Sequence, residues 1–334
     1  MNTKKALESV LNELFEIEWL QLNKKCKENK WYPDYKVKIK WEKGEHDLIV
    51  EVKSTGEPRI IAEVAGRFKA YNLNGYPVLI APFVSSRGRE MCKELEMGFI
   101  DLAGNAHLKF DGVLIERWGK KSEKKEKRNL KNLFSTKSTW VIRRMLLQPK
   151  RTWKFEELAE EANVSLGQAY KVVNKLVSEG YVEKKRGATT LLKPGELLDT
   201  WTKVYNFQDQ DITGYYCEFK EQKILKELEN ISSESYALTL GSAASLIAPY
   251  VRSTDFHLYA VDQQLIIDHL NLKPVEFGGN VYLVKPSDEG VLFDTRQIEG
   301  INLVSDIQLY LDLYNYPMRG REQAEHLREE VMEV

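Results

Sequence analysis

Apolar and polar positions between residues 139 and 194 follow three short helical periods and then an alternating, strand-like period. Pro149 ends the first period, and Gly180 closes the third. Ser165 stands directly before the third helix, where its hydroxyl can cap free backbone N–H groups. Residues 181–192 then predict two strands around a basic turn. The inward positions of the three helices are Trp140, Ile142, Met145, Leu146 and Leu147, then Phe155, Leu158, Ala159 and Ala162, then Ala169, Val172, Val173, Leu176 and Val177.

Three helices followed by a hairpin are the outline of a winged helix-turn-helix. With its apolar positions inward, the third helix turns a polar and basic face outward. Gln can bond adenine edges, Lys can reach guanine or phosphate, and Tyr can contact sugar or phosphate. The predicted contacts with double-stranded DNA are Ser165, Gln168, Tyr170, Lys171 and Lys175 on the helix, and Lys184, Lys185 and Arg186 on the wing. The alternative is a module for protein contacts with a solvated charged face.

Charge divides the chain into three regions. Residues 1–118 carry 19 basic and 18 acidic side chains, residues 119–204 carry 20 and 10, and residues 205–334 carry 10 and 22. A basic centre predicts a nucleic-acid partner. The acidic C-terminal third predicts a different partner, or intramolecular masking of the basic centre. A length of 334 residues suits two or three domains.

The cysteines and the N-terminus bear on the compartment. Cys26, Cys92 and Cys217 are odd in number and far apart, which argues against a disulfide framework or zinc site and predicts the cytoplasm. No apolar run approaches the roughly 20 residues that span a bilayer, so we expect no membrane partner. The N-terminal residues carry acids within their apolar part, which predicts an amphipathic helix from Leu7 to Trp19 and no signal peptide.

The first third alternates strands and helices. Its predicted order is a helix, two or three strands, a helix, a strand, a helix and a strand. Pro33-Asp34 precedes a strand over residues 35–41, and Glu51-Val52-Lys53 ends the next one. This order and these letters resemble the restriction-endonuclease-like PD-(D/E)xK superfamily. In that superfamily an acid and the Glu of the motif hold Mg²⁺, and the Lys orients the water. The resemblance makes Asp34, Asp47, Glu51 and Lys53 the catalytic candidates, with Asp34 and Glu51 as candidate metal ligands.

The same tripeptide is also an ordinary strand pattern. Beyond it the acid set is incomplete, although Glu63 on the next helix could complete it. We therefore expect a nuclease-like domain that does not cut, and no cofactor. The alternative is a Mg²⁺-dependent DNA nuclease targeted by its winged helix. Gly104-Asn105 favours a hairpin in which Asp101 pairs locally, over a role for Asp101 beside Glu51.

The last third contains a broken catalytic signature. Leu240-Gly241-Ser242, followed by a helix and by Asp255-x-His257 on a strand, resembles the nucleotidyltransferase motif. Active members have Gly-Ser followed by Asp-x-Asp, and the two acids hold Mg²⁺. His257 replaces the second acid here, which predicts a nucleotidyltransferase-like shell without catalysis. The other elements predicted here include a helix over residues 215–230 and a strand over 290–293.

Residues 236–248, 304–313 and 319–324 resemble the AbiEi family. Its members are antitoxins of type IV toxin–antitoxin systems, which act in abortive infection, and related transcriptional regulators. The resemblance covers roughly residues 139–334. It implies that the winged helix represses an operon, that the C-terminal domain opposes a nucleotidyltransferase toxin, and that the system defends against phage. The nuclease-like N-terminal domain departs from the simple members of the family.

Together these patterns predict an α/β chain with three folded parts. Residues 1–118 are a restriction-endonuclease-like domain, and 119–138 are a basic linker. Residues 139–204 are the winged helix-turn-helix. Residues 205–334 are a degenerate nucleotidyltransferase-like domain.

Overall fold

The computed structural model of the chain describes residues 3–12, 16–21, 32–41, 44–71, 74–118, 133–232 and 234–334. Residues 119–132 of the predicted linker lie outside this set, as do Leu14, Phe15 and Cys26. The chain forms two compact units, one of Met1–Asn132 with Val173–Val182 and one of Leu133–Val172 with Glu183–Val334. Helices and sheets mix throughout, which confirms the predicted α/β class. No helix in the described ranges is long and apolar enough to cross a membrane.

A seven-stranded sheet in sequential order forms the centre of the first unit. Strands β3 and β4 are parallel, as are β4 and β5, and the other neighbours are antiparallel. The strands are β1 (Glu16–Gln21), β2 (Tyr35–Trp41), β3 (Gly44–Val52), β4 (Tyr76–Ala81), β5 (Gly98–Asp101), β6 (Ala106–Phe110) and β7 (Val113–Arg117).

Helices cover both faces of this sheet. Helix α1 (Thr3–Leu11) buries Leu7 and Leu11 in the core on one face. Helices α2 (Pro58–Tyr71) and α3 (Ser86–Glu94) form the crossovers between the parallel strands, and they share the core on the other face. The carboxyl ends of β3, β4 and β5 therefore meet at one edge of the sheet, where Glu51 lies.

The predicted continuation of the N-terminal helix to Trp19 is wrong, because α1 ends at Leu11 and residues 16–21 form β1. The physical reason is pairing with β2. The antiparallel register sets Glu16 opposite Lys40 and Glu18 opposite Lys38, so acids of one strand face bases of the next. That pairing lies outside the reach of a local helical period.

The predicted three-helix segment and hairpin are present at their predicted positions. The helices are α4 (Thr136–Leu147), α5 (Phe155–Glu161) and α6 (Leu166–Ser178). Strands β9 (Val182–Lys185) and β10 (Ala188–Leu191) form the hairpin, and β8 (Thr152–Lys154) adds to it in the order β8-β10-β9.

The C-terminal region builds a second seven-stranded sheet, in the order β14-β11-β15-β13-β12-β17-β16. Its strands are β11 (Asp211–Tyr216), β12 (Tyr236–Thr239), β13 (Phe256–Ala260), β14 (Lys273–Pro274), β15 (Val281–Lys285), β16 (Arg296–Ile298) and β17 (Ile301–Leu303). Its helices are α7 (Pro194–Thr202), α8 (Glu221–Glu229), α9 (Leu240–Ile247), α10 (Gln263–Leu270), α11 (Asp306–Tyr314) and α12 (Gly320–Val331).

Two of the elements predicted in this region are wrong. Tyr215 and Tyr216, expected at the start of a helix, belong to β11, and α8 begins only at Glu221. The expected strand over residues 290–293 is a short 3₁₀ helix, Glu289–Leu292. The Asp288 carboxylate accepts a hydrogen bond from Gly290 N, and this capping bond favours a helical turn over a strand.

Helix α4 packs against the C-terminal elements inside the second unit. Trp140 donates its indole N–H to Asp288 Oδ1 at 2.6 Å, and Arg144 is ion-paired with Asp294. The buried Arg143 guanidinium donates to Gln308 on α11 and lies 4.8 Å from the Trp201 ring centroid. These contacts tie the first helix of the winged segment to the acidic C-terminal region.

Candidate nucleic-acid interface

The third helix of the segment, α6, begins with a side-chain cap. Ser165 Oγ accepts a hydrogen bond from Gln168 N at 3.2 Å, as the sequence predicted. The inward face, Ala169, Val172, Val173 and Leu176, is buried. Burial of this face fixes which side chains of the helix point outward.

The outward face of α6 is polar and basic. Ser165, Tyr170 and Lys171 are exposed, and Gln168 is partly exposed. Lys175 is also partly exposed, and its ammonium pairs with Glu179 at 2.7 Å. All five residues predicted for this part of the chain are therefore at least partly accessible to solvent.

The hairpin that follows presents three more cations. Arg186 has a φ of 47° and Gly187 a φ of 83°, the two positive values that a type I′ turn requires. Lys184, Lys185 and Arg186 are all exposed. Lys185 Nζ lies 2.8 Å from Glu183 Oε2. Arg186 therefore stands at the tip of the wing, with the two lysines along β9.

A buried tryptophan that the sequence analysis missed anchors this wing. Trp153 on β8 is fully buried, pairs with Thr189 on β10, and has the Arg151 guanidinium 3.8 Å above its ring. Thr189 in turn donates its hydroxyl to Glu183 O. The polar-apolar alternation of Thr152-Trp153-Lys154 before α5 is the signal that could have indicated this strand.

Three side chains from α5, α6 and β9 meet between the helix α6 and the wing. The Tyr170 ring stacks on the Phe155 ring with centroids 4.0 Å apart and planes 8° apart. Lys184 Nζ lies 4.8 Å from the Phe155 centroid and 5.2 Å from the Tyr170 centroid. Two of the predicted DNA contacts, Tyr170 and Lys184, thus both lie against the Phe155 ring. The sequence pattern predicted that Phe155 belongs to the core.

The first unit brings three of its four catalytic candidates together. Continuing the β2–β3 register, in which Tyr35 pairs with Val50, places Asp34 opposite Glu51. Asp34 Oδ2 accepts a hydrogen bond from Val52 N at 2.8 Å. Lys53 Nζ lies 2.5 Å from the buried Glu51 Oε1. The motif residues therefore adjoin one another at the carboxyl end of β3.

The fourth candidate and the other acids lie elsewhere. Asp47 is four residues before Glu51 on the same strand, about 13 Å away, and pairs with Lys36 at 2.6 Å. Glu63 pairs with Arg67 on α2. The Asp101 carboxylate accepts hydrogen bonds from Ala103 N, Asn105 N and Asn105 Nδ2, all within 2.9 Å, so it pairs locally in its hairpin as expected.

These residues fit a Mg²⁺ ion only in part. Glu51 Oε2 is buried and has no hydrogen-bond partner, which is the kind of atom a metal ligand supplies. Lys53, however, already neutralises Glu51, and Asp34 is held by the backbone. Over the described ranges, no group of three or more His, Cys, Asp or Glu side chains could hold a metal ion. Two carboxylates with a competing ammonium make a weak site for a hard cation.

We expect the full-length chain to leave supercoiled plasmid intact in Mg²⁺ or Mn²⁺. The reason is the Lys53–Glu51 pair, which the metal would have to displace. Gel analysis of nicked and linear plasmid checks this. Cleavage by the wild-type chain that disappears in Glu51→Ala and Lys53→Ala chains would show that the nuclease alternative is right.

In the segment of the second unit whose sequence resembles the nucleotidyltransferase motif, the serine is hydrogen-bonded and the glycine is covered. Ser242 Oγ accepts a hydrogen bond from His257 N at 3.1 Å and donates to Thr239 O at 2.7 Å, so its hydroxyl is used within the sheet. A side-chain carbon placed on Gly241 would lie 2.4 Å from Ser253 Cβ, which shows that Ser253 covers the glycine. Ser253 therefore occupies the space beside the Gly241 α-carbon.

His257 stands in an aromatic setting. Its ring stacks on Tyr282 at 4.7 Å, and its Nε2 lies 3.2 Å from the Tyr316 hydroxyl. Burial lowers the pKa of His257 to about 4, so the imidazole is neutral at neutral pH. Its geometry therefore suits packing better than metal binding beside Asp255.

A buried polar network, which the sequence analysis missed, connects α11 to its surroundings. The fully buried Asp312 carboxylate accepts hydrogen bonds from Thr239, Tyr205, Gln308 and Tyr259, at 2.5, 2.5, 2.7 and 3.1 Å respectively. Burial raises the pKa of Asp312 to about 6 in spite of these donors. A Gln and an Asp four residues apart in an otherwise apolar helix were the available signal.

Residues 319–324, which carry part of the family resemblance, have a structural role in this chain. Gln323 is buried, and its Oε1 accepts hydrogen bonds from Tyr250 N and Val251 N, while its Nε2 donates to Ala248 O. One side chain thus holds the loop that follows α9. Gly320 is needed for close packing, because a Cβ there would lie 2.4 Å from Leu313 O.

A comparison with protein-family models gives a match in the C-terminal region. Residues 190–333 match a family model described as a transcriptional regulator, the AbiEi antitoxin of a type IV toxin–antitoxin system. A search of curated proteins finds no match, and neither does a search of solved structures. The match begins within β10, so most of the winged segment and all of the first unit lie outside it. Over residues 190–333 the chain is therefore similar to the AbiEi antitoxins, which confirms the family resemblance predicted from its sequence.

Proposed function

We propose that this chain is a DNA-binding transcriptional regulator of the type IV antitoxin kind, acting in the cytoplasm in defence against phage. The observation that carries the proposal is the combination of an AbiEi-type C-terminal region with an exposed basic helix and wing directly before it. The family description supplies regulation and a toxin partner. The helix and the wing supply a surface that suits double-stranded DNA.

The geometry supports DNA as the ligand of this surface. The N-terminus of α6 carries a partial positive charge and an exposed serine, so it favours a phosphate. Tyr170 and Lys171 extend the same face, and Arg186 projects from the wing tip. We assign base-edge contacts to Gln168 and Lys171, and phosphate contacts to Ser165, Tyr170, Lys175 and the three wing cations.

We further propose that the C-terminal region opposes a nucleotidyltransferase toxin without catalysing nucleotide transfer. The covered Gly241, the engaged Ser242 hydroxyl and the neutral His257 support the catalytically silent part. A Mg²⁺-binding pair of carboxylates is what phosphoryl transfer would need here. We regard residues 1–118 as a nuclease-like domain, with Asp34 opposite Glu51 as the supporting feature.

Replacing Lys184, Lys185 and Arg186 together with alanine should weaken binding to duplex DNA and flatten its salt dependence. Each phosphate that the variant no longer neutralises should reduce the slope of log K against log salt by about 0.9. Fluorescence anisotropy with the DNA upstream of the chain's own operon, at several salt concentrations, measures this. The matched control replaces three exposed lysines of another surface, Lys220, Lys223 and Lys226, with alanine.

Equal slopes for the wild type and the wing variant would contradict the proposed interface. The antitoxin role has its own test, in which the full chain is co-expressed with a nucleotidyltransferase toxin of a type IV system. The chain should restore growth, and the wing variant should do so as well while failing to repress a reporter. Growth arrest in the presence of the wild-type chain would contradict the antitoxin role.

A further inference from the structure

We propose that Phe155, Tyr170 and Lys184 form a built contact site for one DNA backbone phosphate, at the corner between α6 and the wing. The proposal rests on the proposed DNA-binding function and deepens it, because it assigns one contact to one atom, Lys184 Nζ. The two rings act as positioning groups for that ammonium.

The buried Phe155 ring holds the Tyr170 ring in place. Phe155 is buried and is the first residue of α5, directly after β8, whose Lys154 pairs with Ala188 of the wing. Tyr170 is 37% exposed and lies flat on Phe155 at 4.0 Å. The stack therefore joins α6 to the wing through a core residue, and the Tyr170 ring remains accessible.

The ammonium of Lys184 lies within cation–π range of both rings, at 4.8 and 5.2 Å. Ring faces attract an ammonium without removing its charge, and its N–H groups remain donors. A lysine on a flexible stem loses rotamer freedom when it binds, but a lysine already held by rings loses less. The stack thus prepares Lys184 to meet a phosphate at a fixed position.

The position matters because the site lies between the helix and the wing, the two elements proposed to contact DNA. A phosphate held at this corner sets where the backbone passes between the surface of α6 and the tip at Arg186. Contacts with the DNA backbone fix the register and orientation of a protein on the duplex. They therefore set the position of the side chains that read the bases. The site would take any duplex, since a phosphate carries no sequence information.

The test measures salt-dependent binding of the full-length chain to a duplex of random sequence. We expect Lys184→Gln to reduce the slope of log K against log salt by about 0.9, the value for one phosphate. The matched control is Lys223→Gln, because Lys223 Nζ also lies over a ring, 3.5 Å from the Phe219 centroid, on another surface. The control should keep the wild-type slope.

A cycle of variants separates positioning from general damage. In a Tyr170→Phe background, which keeps the stack, Lys184→Gln should still reduce the slope by about 0.9. In a Tyr170→Leu background, which removes the outer ring, the same substitution should reduce it far less, because the ammonium is no longer held. Thermal melting of each variant confirms that it is folded.

Each outcome of these binding measurements supports or overturns the proposed phosphate contact site. An unchanged slope for Lys184→Gln, or an equal reduction in the Phe and Leu backgrounds, would overturn this site while leaving the proposed function intact. Absence of salt-dependent duplex binding by the wild-type chain would overturn both. A reduction of about 0.9 that depends on an aromatic ring at position 170 supports the site.

Discussion

An Asp312→Asn chain should gain stability over the wild type as the pH rises, by about 3 kcal/mol between pH 4 and neutral pH. The wild-type carboxyl has a pKa of about 6 when folded, against an ordinary value of 3.8. The folded state therefore binds this proton more tightly than the unfolded state does. That contribution is complete below about pH 3.8 and is lost as the pH rises through 6. Asparagine does not titrate, so the variant escapes the loss.

The groups around Asp312 decide whether its pKa is raised or lowered. Four hydrogen-bond donors, Tyr205, Tyr259, Thr239 and Gln308, favour the carboxylate and lower its pKa. The buried Arg143, which donates to the same Gln308, is the cation of the network. Removal from water outweighs all of these, because a charge buried in the interior loses more hydration than its partners restore. Burial likewise raises the pKa values of Tyr205 and Tyr259, so both hydroxyls remain donors.

Urea unfolding of the wild type and of Asp312→Asn at a series of pH values measures the difference in free energy. An Asp268→Asn chain is the control, since Asp268 is an exposed carboxylate on α10. This control tests whether the loss of an exposed carboxyl group alone reproduces the effect. Parallel curves for the wild type and Asp312→Asn would show that the buried carboxyl does not titrate as proposed.

Local sequence patterns predicted the elements that are stabilised by contacts between residues close together in the chain. The apolar period of α6, the Ser165 cap and the Arg186-Gly187 turn each depend on neighbours within one or two turns, and all three appear where expected. Strand β3 was predicted over residues 47–53 from its apolar run, but it begins earlier, at Gly44, and ends at Val52. Short-range periodicity is sufficient for such elements.

The elements that were missed owe their form to distant partners. Strand β1 depends on β2, across a gap that the local pattern does not encode. Strand β8 has only three residues and depends on β10, more than thirty positions later. The 3₁₀ helix at residues 289–292 is capped by the Asp288 carboxylate, which the distant Trp140 indole N–H also binds. Tertiary context overrides local preference in each case.

The candidate sites divide in the same way. Glu51 and Lys53 lie close together because they are two residues apart on one strand. The antiparallel register of β2 and β3 brings Asp34 opposite Glu51. Asp47 does not join them, since a strand carries it about 13 Å away. The Tyr170–Phe155 stack and the Asp312 network join residues of separate elements, so no spacing along the chain announces them.

His257 should give the opposite pH dependence to Asp312. The folded pKa of His257 is about 4, below its ordinary value of 6.5, because burial disfavours the charged imidazolium. Its stabilising contribution is complete above pH 6.5 and is lost as the pH falls toward 4. By pH 4 the wild type should have lost about 3 kcal/mol that a non-titrating residue keeps.

A His257→Phe chain is the variant that shows this. Phenylalanine retains a ring to stack on Tyr282, and it removes Nδ1, which is buried without a hydrogen-bond partner. It also removes Nε2, the partner of the Tyr316 hydroxyl. We expect the free energy of unfolding of this chain to fall less steeply than that of the wild type between pH 6.5 and pH 4.

The control is Tyr316→Phe, which removes the hydroxyl that faces Nε2 but keeps the histidine. Its stability should be lower at every pH, with the wild-type acid dependence retained, since the imidazole still has to charge in a buried site. Asp255, the nearby carboxylate of the motif, stays in place in both variants. If His257→Phe and the wild type lost stability equally on acidification, the imidazole would be charged when folded, and the argument for a neutral, packed His257 in place of a metal ligand would fail.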